Sequence, residues 1–323
     1  MKPSTRATIA IPTHNRAPML QAALNSVQEL QQPPSFELEV LVIDNASTDH
    51  TPTVIEEACR SGPLAIRAVH EPDQGLNMAR NRALIDANSE WIIFLDDDML
   101  VDPGWLRGFT EAIDAYAPTA VVGPVEPWFE ADPEPWLTPM MLDSVTSAYS
   151  RKGDTLHIVE QQRAHELPGC NFAVKLDAAL QAGGFHPALD RRGAGMLAEG
   201  DFELGRNLVR LGRSTAYSPR CRIRHFVSKH KISREGLRDR WHGLGATRRV
   251  IEKMDGTAER HTHKIRSFLR MCKLATAGVQ FGRPRDQGAA FDSELKARYL
   301  WGYLFQAPAI EPRRWPPIPL ARQ

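Results

Sequence analysis

Apolar runs and helically spaced stretches alternate through the first third of the chain. Ala7-Thr-Ile-Ala-Ile11 and Trp91-Ile-Ile-Phe-Leu95 read as buried strands, and Glu39-Val-Leu-Val-Ile43 and Leu64 to His70 as two further strands. Between them, Ala17 to Leu30 places Leu20, Ala23, Leu24 and Val27 on one helical face. Pro52 to Ser61, preceded by the cap-rich turn Asp44-Asn-Ala-Ser-Thr-Asp49, and Gly75 to Asn88 read as the next two helices. A βαβαβαβ run of this kind predicts an α/β fold with a doubly wound, mainly parallel Rossmann-like sheet, whose ligands sit outside the carboxyl ends of the strands. Three of those ends carry polar clusters: Pro12-Thr-His-Asn-Arg16, Asp44-Asn45 and Asp96-Asp-Asp98.

The pattern changes at Val125. Glu126 to Trp136 is dense in Pro and Trp and reads as irregular loop. Pro168 to Val174 reads as a strand, Asp177 to Ala182 as a short helix, Gly183-Gly-Phe as a tight turn, and Phe202 to Leu211 as an amphipathic helix entered through the Gly-rich, mobile-looking Arg191 to Asp201. Arg222 to Phe226 is strand-like. Beyond His225 the chain is basic and mainly helical to Gly278, with a last helix from Ser293 to Phe305 and a Pro-rich tail over Ala307 to Gln323. Residues 1–124, 125–228 and 229–323 are therefore three parts of different character, the last a helical extension.

Composition narrows the class. At 323 residues, with 42% hydrophobic and 24% charged residues, the chain can bury a full core. A net charge of +1 gives no whole-chain reason to expect a nucleic-acid partner, and no reader motif is present. Four scattered cysteines without a CxxC pair argue against a zinc site or a disulfide framework and for a reducing cytoplasm. No 18-residue apolar run occurs, so contact with a membrane would be peripheral, at its inner face.

Three successive carboxylates at the tip of a buried strand repel one another unless something positive lies between them. Mg²⁺ or Mn²⁺, which take hard oxygen ligands and can share them with substrate phosphates, would resolve the conflict. A solvated polar turn is the plainer alternative.

Taken together, Ile11-Pro-Thr-His-Asn-Arg16, Val42-Ile-Asp-Asn-Ala-Ser-Thr-Asp49, Gly75-Leu-Asn-Met-Ala-Arg-Asn81 and Phe94-Leu-Asp-Asp-Asp98 resemble, in order and spacing, glycosyltransferase family 2. Gly169-Cys-Asn171, Gly183-Gly-Phe185 and Gly200-Asp-Phe-Glu-Leu204 continue the series, so that the resemblance spans about residues 7 to 228. It implies a GT-A fold and an inverting, metal-dependent transfer from a nucleoside diphosphate sugar, most often UDP-linked, to a glycan, lipid-linked or small-molecule acceptor.

Roles follow residue by residue from that resemblance. Asp96 would lie by ribose or sugar and share the metal with Asp98, while Asp97 holds the variable middle position. Asp44 would accept the N3 proton of uracil, and Pro12, Thr13, Asn15, Arg16, Asn45 and Gly75 would border base and phosphate. Arg80 would reach the diphosphate, Asn171 and Gly169 would line the sugar pocket, and His225 would add a metal ligand, although a lone His is as readily structural. The general base would be Asp201, with Glu199 in reserve. Here the chain departs from the family: the usual Glu-Asp pair reads Gly200-Asp201.

Other departures exclude neighbours. Leu237-Arg-Asp-Arg-Trp241 and Glu311-Pro-Arg-Arg-Trp315 miss the QxxRW element of processive synthases, and the glycine-free Pro12 to Arg16 lacks the Gly-rich loop of nucleotidyltransferases. A catalytically inactive nucleotide-sugar-binding protein is the alternative. Trp128 and Trp136 could stack on a sugar or pin their loop. The basic segment with Trp241, His242 and Arg248 could receive an anionic acceptor, but a solvated helical face is the stronger reading.

Overall fold

The structure, a computed structural model, describes residues 5–34, 36–146, 153–161, 163–190, 197–256, 266–274 and 287–305. The first half runs β1 (Thr5–Thr13), α1 (Ala17–Gln28), β2 (Phe36–Asp44), α2 (Thr51–Arg60), β3 (Ile66–His70), α3 (Leu76–Asp86), β4 (Trp91–Leu95), β5 (Met99–Val101), α4 (Trp105–Tyr116) and β6 (Ala120–Val122). Then follow β7 (Val125–Phe129), α5 (Pro139–Thr146), β8 (His157–Ile158), β9 (Asn171–Lys175), α6 (Leu176–Gln181), α7 (Gly200–Arg210), β10 (Thr215–Tyr217), β11 (Ile223–Val227) and α8 (Arg234–Met254). Helices α9 (266–274) and α10 (Gln287–Phe305) complete it.

The main sheet has the order β3-β2-β1-β4-β9-β6-β10-β8, and β3, β2, β1 and β4 are mutually parallel. Ile9, Ile11, Val40 to Ile43 and Ile92 to Leu95 are completely buried because helices cover both faces, which is why these strands are continuous apolar runs and not alternating ones. On α1 the buried side chains are Ala17, Leu20, Ala23, Leu24 and Val27, the face expected from their spacing, and a proline stands in its first turn, where no backbone donor is lost.

Strand β9 runs antiparallel between β4 and β6, making the sheet mixed. Its reversal has a consequence for the site: Leu95, at the carboxyl end of β4, pairs with Asn171, at the start of β9. The segment before β9 therefore reaches the same edge as Asp96.

A second sheet, β5-β11-β7, packs alongside. Here the expectation of an irregular loop after Val125 is corrected, since β7 pairs in parallel with β11 from Val125 to Phe129. Pro127 obscured it. The residue is tolerated because β7 is an edge strand, bonded on one side only. Trp136 pins the chain that follows, packing edge-on to Phe291 with ring centroids 5.3 Å apart and lying under the Arg234 guanidinium. Trp128 stays exposed beside Phe226.

Helix α8 opens with Ser233, whose Oγ accepts from Gly236 N at 3.1 Å, and packs along α10 around Leu237, Phe291 and Leu295, with Trp241 against that cluster. Arg206 and Arg210 of α7 bind Asp255 at its far end. The outer faces of α9 and α10 carry Phe268, Leu269, Trp301 and Phe305, between 43% and 62% exposed, with the Phe305 ring touching those of Phe268 and Trp301. Among the described residues no helix is long and apolar enough to cross a membrane. The Gly-rich Arg191 to Met196 and the tail with Trp315 lie outside the described residues.

Candidate active site

Parallel pairing sets the carboxyl ends of β2, β1 and β4 side by side, so Asp44, Thr13 and the Asp96 to Asp98 segment share one edge. Pro12 is buried near the end of β1, beyond the last residue that pairs with β4, so its missing N–H leaves no gap in that ladder. Asp44 Oδ1 accepts from Ser47 N at 3.1 Å and Oδ2 stands 3.5 Å from His70 Nδ1.

Two of the expected nucleotide contacts are struts. Asn15, in the left-handed region at φ 52, accepts from the Thr48 amide at 2.7 Å and ties the loop after β1 to the loop after β2. Asn45 is buried; its amide donates to the carbonyls of Glu71 and Asp73, and its Oδ1 accepts from Gly75 N at 2.8 Å. It thereby holds the start of α3 in place.

Every carboxylate of the strand tip meets a cation. Arg80, buried on α3, donates from Nη2 to Asp96 Oδ1 at 2.9 Å and to the Gly169 carbonyl at 2.7 Å. Its Nε has no hydrogen-bond partner among the described residues. Arg16 donates from Nη1 to Asp97 Oδ1 at 3.1 Å and to Asp98 Oδ2 at 2.9 Å. Thr13 adds its hydroxyl to Asp97 Oδ2 at 2.8 Å. Lys231, which no sequence spacing singled out, brings Nζ to 3.4 Å from Asp98 Oδ2.

Neighbours part the two buried acids. Burial pushes Asp97 up to about 7 against the pull of Arg16. Burial acts on Asp98 in the same sense, but Lys231, His225 and Arg16 together outweigh it and hold Asp98 below its ordinary value.

The small sheet delivers His225. Phe226 N donates to the Asp98 carbonyl at 2.9 Å, and His225 Nε2 comes to 3.8 Å from Asp98 Oδ2, while Nδ1 lies 3.3 Å from the Thr146 carbonyl. Burial lowers the His225 pKa, against the pull of Asp98, and so favours the neutral imidazole that a metal ion would need. Among the described residues no three His, Cys, Asp or Glu side chains form a ready metal cage. Two converging donors, Asp98 and His225, nevertheless suit an ion whose remaining ligands are phosphate oxygens and water, and the Lys231 ammonium already sits between them.

Asp201 opens α7, and its packing on Gly169 shows where it lies. A Cβ on Gly169 would come within 2.4 Å of Asp201 Oδ2 and 3.0 Å of Arg80 Nη2, so the glycine lets base candidate and guanidinium converge. Arg80 feels the charge of both Asp96 and Asp201, which with burial opposing still raise its pKa. Gly200 has an equally local cause: a Cβ there would lie 2.4 Å from Asn77 Nδ2, which donates to the His186 carbonyl at 3.0 Å. Glu199 precedes α7 in the left-handed region, at φ 73. Burial and Asp201 raise its pKa, with Arg240, Arg248 and Arg206 opposing.

One expectation fails. Asn171 is completely buried, its Oδ1 accepting from Trp105 Nε1 at 3.2 Å and its Nδ2 donating to the carbonyls of Pro124 and Cys221. It clamps three chain segments and cannot line a sugar pocket. Gly169, two residues earlier, is the part of that motif which reaches the site.

Residues 8–180 match the family model of glycosyl transferase family 2. The chain belongs to this family. It is therefore a glycosyltransferase, and its GT-A fold recurs in solved structures. The mannosyltransferase PcManGT from Pyrobaculum calidifontis, in complex with GDP-Man and Mn²⁺, superposes with a TM-score of 0.60 at 20% identity, over 94% of this chain and 86% of that one. S. aureus TarS 1-349 in complex with UDP-GlcNAc gives 0.55 at 15% identity, over 93% and 89%. By sequence, this glycosyltransferase is 27% identical to the succinoglycan biosynthesis protein ExoM of Rhizobium meliloti (strain 1021), over 75% of this chain and 74% of that protein.

Proposed function

We propose that this glycosyltransferase inverts the anomeric carbon, moving a sugar from a nucleoside diphosphate sugar, uridine-linked, to a hydroxyl of a growing glycan or lipid-linked acceptor. The observation that carries the reading is the single guanidinium of Arg80, which bonds Asp96 and the Gly169 carbonyl while Asp201 packs on Gly169. Donor carboxylates and base candidate thus converge on one point. The alternative, an inactive nucleotide-sugar-binding protein, leaves that convergence without a purpose.

The parts divide the work along the chain. In residues 1–124, Asp44 takes the base, and Arg16 takes on the diphosphate charge as it departs. A divalent ion, Mn²⁺ or Mg²⁺, held by Asp98 and His225 with Asp96 nearby, would supply Lewis-acid stabilisation of the leaving diphosphate. Residues 125–228 bring the acceptor. Asp201 accepts the hydroxyl proton as the oxygen attacks, and Arg80 fixes the geometry of both carboxylates. General-base help of this kind accounts for roughly 10²–10⁴-fold in rate.

Helices α9 and α10 of the C-terminal extension carry the exposed Phe268, Leu269, Trp301 and Phe305, which with Arg266 and Arg270 of α9 favour peripheral contact with an anionic membrane, where a lipid-linked acceptor would be met. The names of similar proteins agree in kind: TarS is seen with UDP-GlcNAc, PcManGT with GDP-Man and Mn²⁺, and ExoM is named as a succinoglycan biosynthesis protein.

Calorimetric titration of UDP, GDP, TDP and CDP, with and without Mn²⁺, tests the donor site. Metal-dependent binding of one nucleotide, lost in Asp98→Ala, is expected. No binding to the folded protein under either condition would overturn the reading, and turnover of the matching sugar donor excludes the inactive alternative.

A further inference from the structure

The carboxylates at the strand tip are already met by cations before any divalent ion enters: Asp96 by Arg80, Asp97 by Arg16, and Asp98 by Arg16 and Lys231. A dication entering beside Asp98 is repelled by the two resident cations that bond that carboxylate. Lys231 opposes it most directly. Its Nζ is 3.4 Å from Asp98 Oδ2 and 3.2 Å from His225 Nε2, between two donors that are themselves 3.8 Å apart.

The three cations differ in their freedom to leave. Arg80 is buried and anchored to Gly169, and Arg16 spans two carboxylates. Lys231 is a flexible chain with a point charge, on the loop between β11 and α8, and it bonds one carboxylate where Arg16, although its side chain is the more exposed at 45% against 32%, is held by two. A diphosphate arriving beside Asp98 offers it a better partner, because phosphate oxygens bind an ammonium strongly and bring negative charge of their own.

We propose that Lys231 is an internal cation that closes the seat between Asp98 and His225 to divalent ions until a nucleoside diphosphate arrives, then passes to the diphosphate, so that ion and donor enter together. This rests on the donor-site reading above. The coupling is reciprocal: whatever factor the nucleotide adds to metal affinity, the metal adds to nucleotide affinity.

Mn²⁺ alone is titrated into the full chain, wild type and Lys231→Gln, following the paramagnetic resonance signal of free Mn²⁺, and the titration is repeated with saturating UDP and with GDP. Without nucleotide, Lys231→Gln should bind Mn²⁺ about tenfold or more tightly than wild type, and adding Asp98→Asn should abolish the gain. With nucleotide, wild type should tighten much more than the variant. If Lys231→Gln binds Mn²⁺ alone no better than wild type, while nucleotide-dependent Mn²⁺ binding persists in both, the role of Lys231 is overturned and the donor site stands. If neither folded protein binds Mn²⁺ with either nucleotide, both readings fall.

Discussion

A Cβ on residue 200 would lie 2.4 Å from Nδ2 of Asn77, so Gly200 and Asn77 share one contact across the junction of α3 and α7. The glycine where the family carries an acid is thus explained by packing, with Asp201 left in place beside Gly169. In an ordinary helix Gly→Ala gains about 1 kcal/mol. Here the overlap should reverse the sign, Gly200→Ala costing roughly 1–3 kcal/mol in denaturant unfolding. In an Asn77→Ala background the cost should vanish. An additive double-mutant cycle would count against this contact.

Asp201→Asn separates base from helix start. Loss of a helix-terminal carboxylate lowers stability by about 1 kcal/mol at most, whereas loss of the base lowers kcat by roughly 10²–10⁴-fold. The expected variant has near-native thermal stability, unchanged nucleotide affinity and collapsed turnover. Turnover within about twofold of wild type would transfer the role to Glu199.

Glu199 makes a prediction about pH. Its folded pKa is raised above the ordinary 4.5, chiefly by burial, so the fold favours the protonated acid. Its contribution to stability is therefore fully present below the unfolded pKa and is lost as pH rises through the folded one. Glu199→Gln should melt higher than wild type at about pH 8, and the gap should close below about pH 4. Equal melting temperatures across that range would show that Arg240 and Arg248 compensate the charge fully.

The aromatic surface of α9 and α10 predicts binding to vesicles. Sedimentation with phosphatidylglycerol vesicles, weak with phosphatidylcholine and reduced several-fold by Trp301→Ser with Phe305→Ser, is expected, because burial of rings and attraction of Arg266 and Arg270 to anionic lipid act together. Equal sedimentation of wild type and variant would remove the membrane from the proposal.

The strands at the heart of the sheet, the first three helices and the cluster of carboxylates after β4 were all legible in the sequence, because a strand buried on both faces must be continuously apolar and a covered helix must repeat its apolar side chains at three and four residues. Ile92 to Leu95 and Leu20, Ala23, Leu24 and Val27 lie where that logic put them. Strand β7 was hidden by Pro127, since an edge strand tolerates what a central one does not.

The work of individual polar side chains was decided by tertiary structure alone. Asn171 and Gly169 share a motif, yet the antiparallel entry of β9 turns one into a buried clamp and the other into the floor beneath Asp201. Lys231 reaches Asp98 across 133 positions because β11 pairs with β5, a proximity no local period encodes. Periodicity records which face of an element is buried; which charges meet at its end depends on strand order and register, and those come only with the assembled fold.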